Sequence, residues 1–158
     1  MYQAYEFCHN LTGNPVCGNK VTNMHTAYHN CFNITGSPVC GENVTNMFAA
    51  YSNCYNLTGN PVCGNKVTDI SYAYDYCYNL HGTMEIFSKN IKSVAGCFTG
   101  RNTSNRLNIY VYNGSTTHNT IRNKITRESI VGVNITWTDD VDCFYNAEQN
   151  IYIYTTLS

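Results

Sequence analysis

Charged residues are scarce in this sequence. Asp, Glu, Lys and Arg together make up 12% of the chain, about half of the roughly 25% that is usual for soluble proteins. The formal net charge is −1, so no strong field draws the chain to nucleic acid or to an acidic membrane surface. The polar surface must come instead from Asn, Thr and Ser, and from 14 Tyr. This neutral, aromatic mixture suits contact with protein or carbohydrate.

Long apolar segments are also missing. No run approaches the ~20 residues that a membrane-spanning helix needs, so we expect no membrane insertion. Met1 is followed at once by Tyr2 and Gln3 rather than by a basic and then apolar leader, and no signal peptide is predicted. We expect a mature form, a fragment, or a protein exported or released by another route. Its expected location is extracellular, on the cell surface or on a virion.

Catalytic motifs are absent from the sequence too. It has no nucleophile elbow, no phosphate-binding loop and no pair of carboxylates at a spacing suited to acid–base catalysis. Its nine cysteines never occur in the closely spaced pairs that are typical of structural zinc sites. We therefore predict a protein that is not an enzyme and that has no cofactor, no metal site and no catalytic residue.

What the sequence does contain is a repeat. Four segments align without gaps at a period of 23 residues, and they begin at Met1, Met24, Met47 and Ile70. Self-similarity at a fixed period of roughly 20–50 residues is the mark of a solenoid or an array. The fixed positions form columns: Tyr5, Tyr28, Tyr51 and Tyr74; Cys8, Cys31, Cys54 and Cys77; Cys17, Cys40 and Cys63; Asn10, Asn33, Asn56 and Asn79.

Each repeat is predicted to contain a short helix followed by a short strand. The spacing from Met1 through Tyr5 to Cys8 fits one face of a helix, and Thr22–Asn23 would cap the helix of the next repeat. The following segment is extended, and Pro15 removes one backbone donor from it. We therefore predict a narrow parallel sheet, with about two or three residues of each repeat in it.

The fixed columns are predicted to be buried, because no single repeat can bury its own apolar face. This includes the column that starts at Val16, and the Asn column is expected inside with its amides satisfying backbone groups. Positions that vary between repeats are predicted to lie outside, and they are aromatic. The candidate ligand-binding residues come from two such sites: Tyr2, His25 and Phe48 at one, and His9, Phe32, Tyr55 and Tyr78 at the other.

The runs Val21–Thr35 and Val44–Thr58 follow the pattern V-T-N-M-x-x-A-Y-x-x-C-x-N-[LI]-T. This pattern resembles the BspA-like class of leucine-rich repeats over residues 1 to about 100. The strand departs from that class, since Gly-Asn-Pro-Val-Cys-Gly stands where a Leu/Ile-rich strand is usual. The resemblance implies a right-handed α/β solenoid and, for surface proteins of the class, adhesion or ligand binding. Such repeats also occur in phage-encoded proteins, which implies a tail or fibre role.

The C-terminal half is predicted to close the solenoid. Residues 1–82 hold the four repeats, the fourth incomplete, residues 83–100 a degenerate fifth, and residues 101–158 a capping α/β unit, because terminal repeats must close the core. The capping unit is predicted to contain a strand at Leu107–Tyr112, a helix at Thr116–Glu128 with Ile121 inward, a strand at Ile130–Trp137 and, after a loop, a strand at Asn150–Thr155.

Two questions stay open at the level of the sequence. The cysteine columns are either buried free thiols or disulfides from Cys8 to Cys17 and its equivalents. The function is either a binding and adhesion solenoid with a protein or glycan ligand, or a structural assembly protein. In the second case, copies of the chain would stack end to end through the uncapped repeat at Met1, as in a phage tail, a fibre or a surface filament.

Overall fold

The structure, a computed structural model, describes residues 1–102, 104–112 and 114–121, and the strands at 143–146 and 151–157. The first part of the chain winds in five successive coils. Equivalent residues lie side by side in neighbouring coils, so the Tyr and Cys residues that recur at a spacing of about 23 become columns. Coil 1 is residues 1–23, coil 2 is 24–46, coil 3 is 47–69, coil 4 is 70–93, and coil 5 begins at residue 94.

Each coil opens with two consecutive β-turns, so the helix predicted for each repeat is wrong. In coil 2 the Ala27 N–H donates to the Met24 carbonyl at 2.9 Å, and the second turn ends at Cys31. The third residue of each turn, Thr26 or Asn30, has a left-handed φ of 47° or 62°, as type II turns require and α-helices do not allow. Two such turns bury their first and fourth residues, which gives the same spacing as one helix face.

The backbone hydrogen bonds of these turns connect one coil to the next. The N–H groups of Thr26, Tyr28 and Asn30 donate to carbonyl oxygens of coil 3 at 2.8–2.9 Å. The same pattern joins coil 1 to coil 2, coil 3 to coil 4 and coil 4 to coil 5. Because buried backbone groups must be paired, each coil depends on its neighbour, as expected in a solenoid.

The residue before each pair of turns acts as a cap, as the sequence predicted, although it caps a turn. The Oδ1 atoms of Asn23, Asn46 and Asp69 accept hydrogen bonds from the backbone N–H two residues later, at 2.9, 2.8 and 2.8 Å. This is the geometry of an Asx-turn, in which the side chain imitates a backbone turn.

On the opposite side of the coils lies a small parallel sheet. Strand β1, Val62–Cys63, has two residues, as predicted, and pairs in parallel with β2, Gly82–Ile86. With five residues, β2 is longer than the two or three predicted for each repeat. β2 pairs in parallel with β3, Leu107–Tyr112, at the residues where a strand was predicted. The earlier coils are joined by isolated parallel bridges, such as that between Val39 and Val62.

Two further strands extend this sheet in the order β1-β2-β3-β5-β4. β5, Ile151–Leu157, pairs in parallel with β3 and overlaps the strand predicted at Asn150–Thr155. β4, Cys143–Asn146, pairs antiparallel with β5 in a segment predicted to be a loop. The strand predicted at Ile130–Trp137 lies outside the described residues.

Helix α1 begins at residue 116, where a helix was predicted to begin, and its described part is residues 116–121. Its hydroxyl groups attach it to coil 4. Thr117 Oγ1 donates to the Ser88 carbonyl at 2.6 Å and accepts from the Ile91 N–H at 2.9 Å. Ile121, the last described residue of the helix, is buried. It belongs to the same apolar core as the buried residues of β2 and β3.

The core runs lengthwise between the turns and the sheet. Met24, Met47 and Ile70 are completely buried. A column of stacked rings passes through the coils, with centroid distances from 5.1 to 6.1 Å between neighbours: Tyr5, Tyr28, Tyr51, Tyr74 and Phe98. Tyr28, Tyr51 and Tyr74 each stack on rings of both neighbouring coils, so the column joins all five.

Candidate binding surface

The turn side of the coils carries the residues that vary between repeats. The first and fourth residues of each turn point into the core. The second residue of the first turn and the residue that follows the second turn are left at the surface. Because the coils are in register, each of these two positions becomes a column that runs from coil to coil.

The first aromatic column consists of Tyr2, His25, Phe48 and Tyr72. The ring centroids of Tyr2 and His25, and those of His25 and Phe48, are both 4.9 Å apart, with interplanar angles of 26° and 18°. Tyr72 meets Phe48 edge-on at 5.7 Å. The sequence alignment missed Tyr72, because it pairs Phe48 with Ser71, and Ser71 is buried.

The second aromatic column consists of His9, Phe32 and Tyr55. Their neighbouring centroids are 4.6 and 5.1 Å apart, and the rings are nearly parallel, at 14° and 4°. Tyr78, the fourth residue predicted at this site, is exposed, but among the described residues its ring does not continue the stack. The structure thus brings together three of these four candidates.

Polar residues of the second turn in successive coils form a strip that lies, in sequence, between the positions of the two columns. His29 Nδ1 lies 3.2 Å from Glu6 Oε1, and the Asn53 amide donates to Asn30 Oδ1 at 2.8 Å. In the same strip, burial raises the pKa of Asp75, while the nearby His29 opposes that increase. These pairs fix the outward face of the second turn in successive coils.

The Asn column lies at the surface and not inside, where it was expected. Asn10, Asn33 and Asn56 are exposed, and Asn79 is half-buried. The amides of Asn33 and Asn56 do satisfy backbone groups, since they donate to carbonyls of the preceding coil at 2.8 and 3.0 Å. The column is outside because the adjacent Cys and Leu or Ile positions already fill the core at this corner.

The sheet side carries an apolar row that the sequence placed in the core. Val16 and Val39 are 71% and 42% exposed, so that prediction is wrong. Their side chains point away from those of the following residues, Cys17 and Cys40, as successive side chains of extended backbone do. Beside this row is a groove of about 350 Å³, which is lined by Cys40, Glu42, Val62, Gly64, Asn65, Phe87 and Tyr112.

The eight cysteines whose side chains the structure describes are free thiols, and a disulfide between Cys8 and Cys17 is not formed. In the first cysteine column, the thiols of Cys31, Cys54 and Cys77 donate to Tyr carbonyls of the preceding coil at 2.9, 3.0 and 3.1 Å. Burial raises the pKa of Cys31 to about 11. Cys8 in coil 1 is exposed. The second cysteine column is Cys17, Cys40 and Cys63.

No protein-family model, curated protein or solved structure matches this chain. Within the part of the chain that the structure describes, no helix is long and apolar enough to cross a membrane. In that same part, no three His, Cys, Asp or Glu side chains are grouped as a metal site requires. The function must therefore be argued from the surface itself.

Proposed function

We propose that this chain is a non-enzymatic binding and adhesion module, a right-handed leucine-rich-repeat-like solenoid that presents aromatic, Asn and Thr positions to a protein or glycan ligand outside the cell. The observation that carries the proposal is the pair of aromatic columns on the turn side. Tyr2, Tyr55 and Tyr78 there are 58%, 42% and 52% exposed. Large exposed aromatic side chains grouped on a weakly charged surface are typical of interaction sites.

The geometry of the rings favours a protein ligand over a glycan. A sugar packs flat against an open aromatic face, but His25 and Phe32 have ring neighbours on both faces. Most of the surface therefore offers ring edges and Tyr hydroxyls, a combination of apolar and hydrogen-bonding groups that is enriched at protein interfaces. The exposed amides of Asn33 and Asn56 add polar groups beside the second column.

The test compares two side chains that are equally exposed on different sides of the coils. Tyr55 on the turn side and Val39 on the sheet side are both 42% exposed. Binding of the chain to an immobilised mucin glycoprotein, native and enzymatically deglycosylated, is measured by surface plasmon resonance. We expect Tyr55→Ser combined with Tyr78→Ser to weaken binding by about tenfold or more, and Val39→Ser to leave it unchanged.

The deglycosylated sample separates the two ligand classes. Binding that survives removal of the glycans is recognition of protein, and binding that disappears is recognition of carbohydrate. Equal losses in the Tyr and Val variants, or a wild-type chain that binds neither form of the glycoprotein, would argue against adhesion through the turn side. Circular dichroism of each variant shows whether the coils remain folded.

A second candidate function, structural assembly, is favoured by the exposed apolar residues of coil 1. Tyr5 is 41% exposed, whereas Tyr28 and Tyr51 are 3% and 0% exposed beneath a preceding coil. This face therefore complements a further coil, as in the end-to-end stacking of a phage tail, fibre or filament subunit. Light scattering over a range of concentrations tests it: multimers that Tyr5→Asp dissolves support assembly, and a wild-type chain that stays monomeric removes the support.

A further inference from the structure

Cys40 lies at a boundary between the core and the groove on the sheet side. Its side chain is 5% exposed, and it lines the groove of about 350 Å³ together with Glu42, Phe87 and Tyr112. Its sulfur accepts a hydrogen bond from the Gly64 N–H at 3.0 Å. A backbone N–H directed at a sulfur stabilises the thiolate, which is the nucleophilic form of cysteine.

Cys63, in β1, is the neighbour of Cys40 in the next coil. The parallel bridge between Val39 and Val62 places the two cysteines opposite each other, with both side chains directed inward. Adjacent strands lie about 4.8 Å apart, which is within the roughly 4.4–6.8 Å that a disulfide spans between Cα atoms. Hydrogen bonding from the Cys63 thiol, together with that from Gly64, lowers the pKa of Cys40 despite its burial.

We propose that Cys40 and Cys63 form a peroxide-reactive dithiol in which Cys40 is attacked first and Cys63 resolves the product. The Cys40 thiolate attacks one oxygen of hydrogen peroxide, the O–O bond breaks, and the departing hydroxide takes up the thiol proton as water. Cys40 is then a sulfenic acid. The Cys63 sulfur attacks the Cys40 sulfur, the S–O bond breaks, and a second water leaves with the Cys63 proton. Two thiols are oxidised, and one peroxide is reduced to two waters.

The first cysteine column provides a contrast within the same chain. Cys54 and Cys77 are also separated by one coil, but their thiols donate to backbone carbonyls at 3.0 and 3.1 Å, which favours the protonated form. The corresponding contacts of Cys40 and Cys63 are longer, at 3.6 and 4.0 Å. Cys54 and Cys77 are both completely buried, and neither lines the groove. Peroxide should therefore react with Cys40 in preference to Cys54 and Cys77, although the two pairs have the same spacing.

The disulfide would join coil 2 to coil 3 from within the sheet. A cross-link of this kind stabilises a protein mainly by restricting its unfolded chain, so the oxidised form should melt at a higher temperature than the reduced form. The reaction also removes the thiol from the wall of the groove. Oxidation therefore cross-links coil 2 to coil 3 on the sheet side of the molecule, next to β1, which has only two residues.

The experiment treats the fully reduced chain with one equivalent of hydrogen peroxide and then analyses it by intact mass and peptide mapping. We expect the loss of two hydrogens, a disulfide between Cys40 and Cys63, and an increase of several degrees in the melting temperature. A disulfide that joins Cys17 to Cys40 or Cys8 to Cys17, or oxidation spread evenly over the thiols, would overturn the proposal. This measurement needs no variant, so it does not depend on whether any variant folds.

Three variants test the roles of the two sulfurs. In Cys63→Ser the sulfenic acid at Cys40 lacks the resolving thiol that we propose, so we expect it to be captured as a single dimedone adduct at Cys40, and a Cys17–Cys40 disulfide in this variant would contradict the role of Cys63. Cys40→Ser should give neither the adduct nor the disulfide. Cys54→Ser, which removes an equally buried thiol from the other column, should form the Cys40–Cys63 disulfide at the wild-type rate. A dimedone adduct at Cys54 or Cys77 in the wild-type chain would contradict the assignment.

Discussion

The tyrosines of the core column are equivalent in sequence but differ in their hydrogen bonds. The Tyr28 hydroxyl donates to the Val16 carbonyl at 2.7 Å, whereas the Tyr74 hydroxyl is buried with no partner among the described residues. A buried hydroxyl that lacks a hydrogen bond costs about 1–3 kcal/mol. In coil 5 the column ends on Phe98, which has no hydroxyl to satisfy.

Two Tyr→Phe substitutions should therefore have opposite effects. We expect Tyr74→Phe to raise the free energy of unfolding by about 1 kcal/mol, because it removes a buried polar group without a partner. We expect Tyr28→Phe to lower it by about 1 kcal/mol, because the Val16 carbonyl loses its donor. Urea denaturation of the two variants measures both. If both substitutions destabilise the chain, the Tyr74 hydroxyl has a partner after all.

Sequence reasoning described the repetition of the coils well and the local backbone conformation within each coil poorly. The alternating, β-branched pattern of Leu107–Tyr112 predicted β3, and the 23-residue register predicted the columns. It could not separate a helix from two β-turns, because both bury the same positions. The sequence does contain one distinguishing signal: coil 5 has Gly96 and Gly100 where the third residue of each turn needs a left-handed φ. In coils 1–4, other residues occupy those positions and conceal it.

The candidate surface shows the same limit. Register grouped Tyr2 with His25 and Phe48 correctly, because stacked coils place equivalent residues together. It could not predict Tyr72, since a ring from the adjacent position reaches Phe48 across the coils. Nor could it predict that Val16 points outward, because the extended segment of each coil is too short to show an alternating pattern.

Gly96 tests the turn geometry directly. A Cβ atom there would lie 2.4 Å from Tyr72 Cε1, at a φ of +59°. We expect Gly96→Ala to destabilise the chain by more than about 2 kcal/mol, from steric overlap and backbone strain together. Gly114→Ala is the control, since its φ of +67° is similar and no atom lies within 4 Å. It should cost about 1 kcal/mol, from strain alone. Equal losses in thermal melts would mean that the Tyr72 ring moves aside.

The whole molecule buries many thiols and phenols, and this makes it sensitive to alkali. Burial raises the pKa of Cys31 from 9.0 to about 11 and that of Tyr28 from 10.0 to about 12. It also raises the pKa values of Cys54, Tyr51 and Tyr74. In each case the folded chain retains a proton that the unfolded chain releases.

These thiols and phenols should consequently leave stability unchanged below about pH 8 and lower it as the pH rises from 9 toward 12. Each group lowers the free energy of unfolding by up to about 1.4 kcal/mol per pH unit between its unfolded and folded pKa values. Urea denaturation in reducing buffer between pH 7 and pH 10.5 would measure the decrease, and Cys31→Ala should make it shallower. A stability that is unchanged at pH 10.5 would mean that these groups ionise without unfolding.

The hydrogen bonds that connect successive coils also determine how the molecule responds to tension. They run from each coil to the next, so a force that pulls the first and last coils apart loads the contacts between one pair of coils at a time. Each coil that detaches would release 23 or 24 residues, roughly 80 Å of extended chain. The force–extension trace should then be a regular sawtooth of small steps, and a tether built in this way lengthens gradually under load before it breaks.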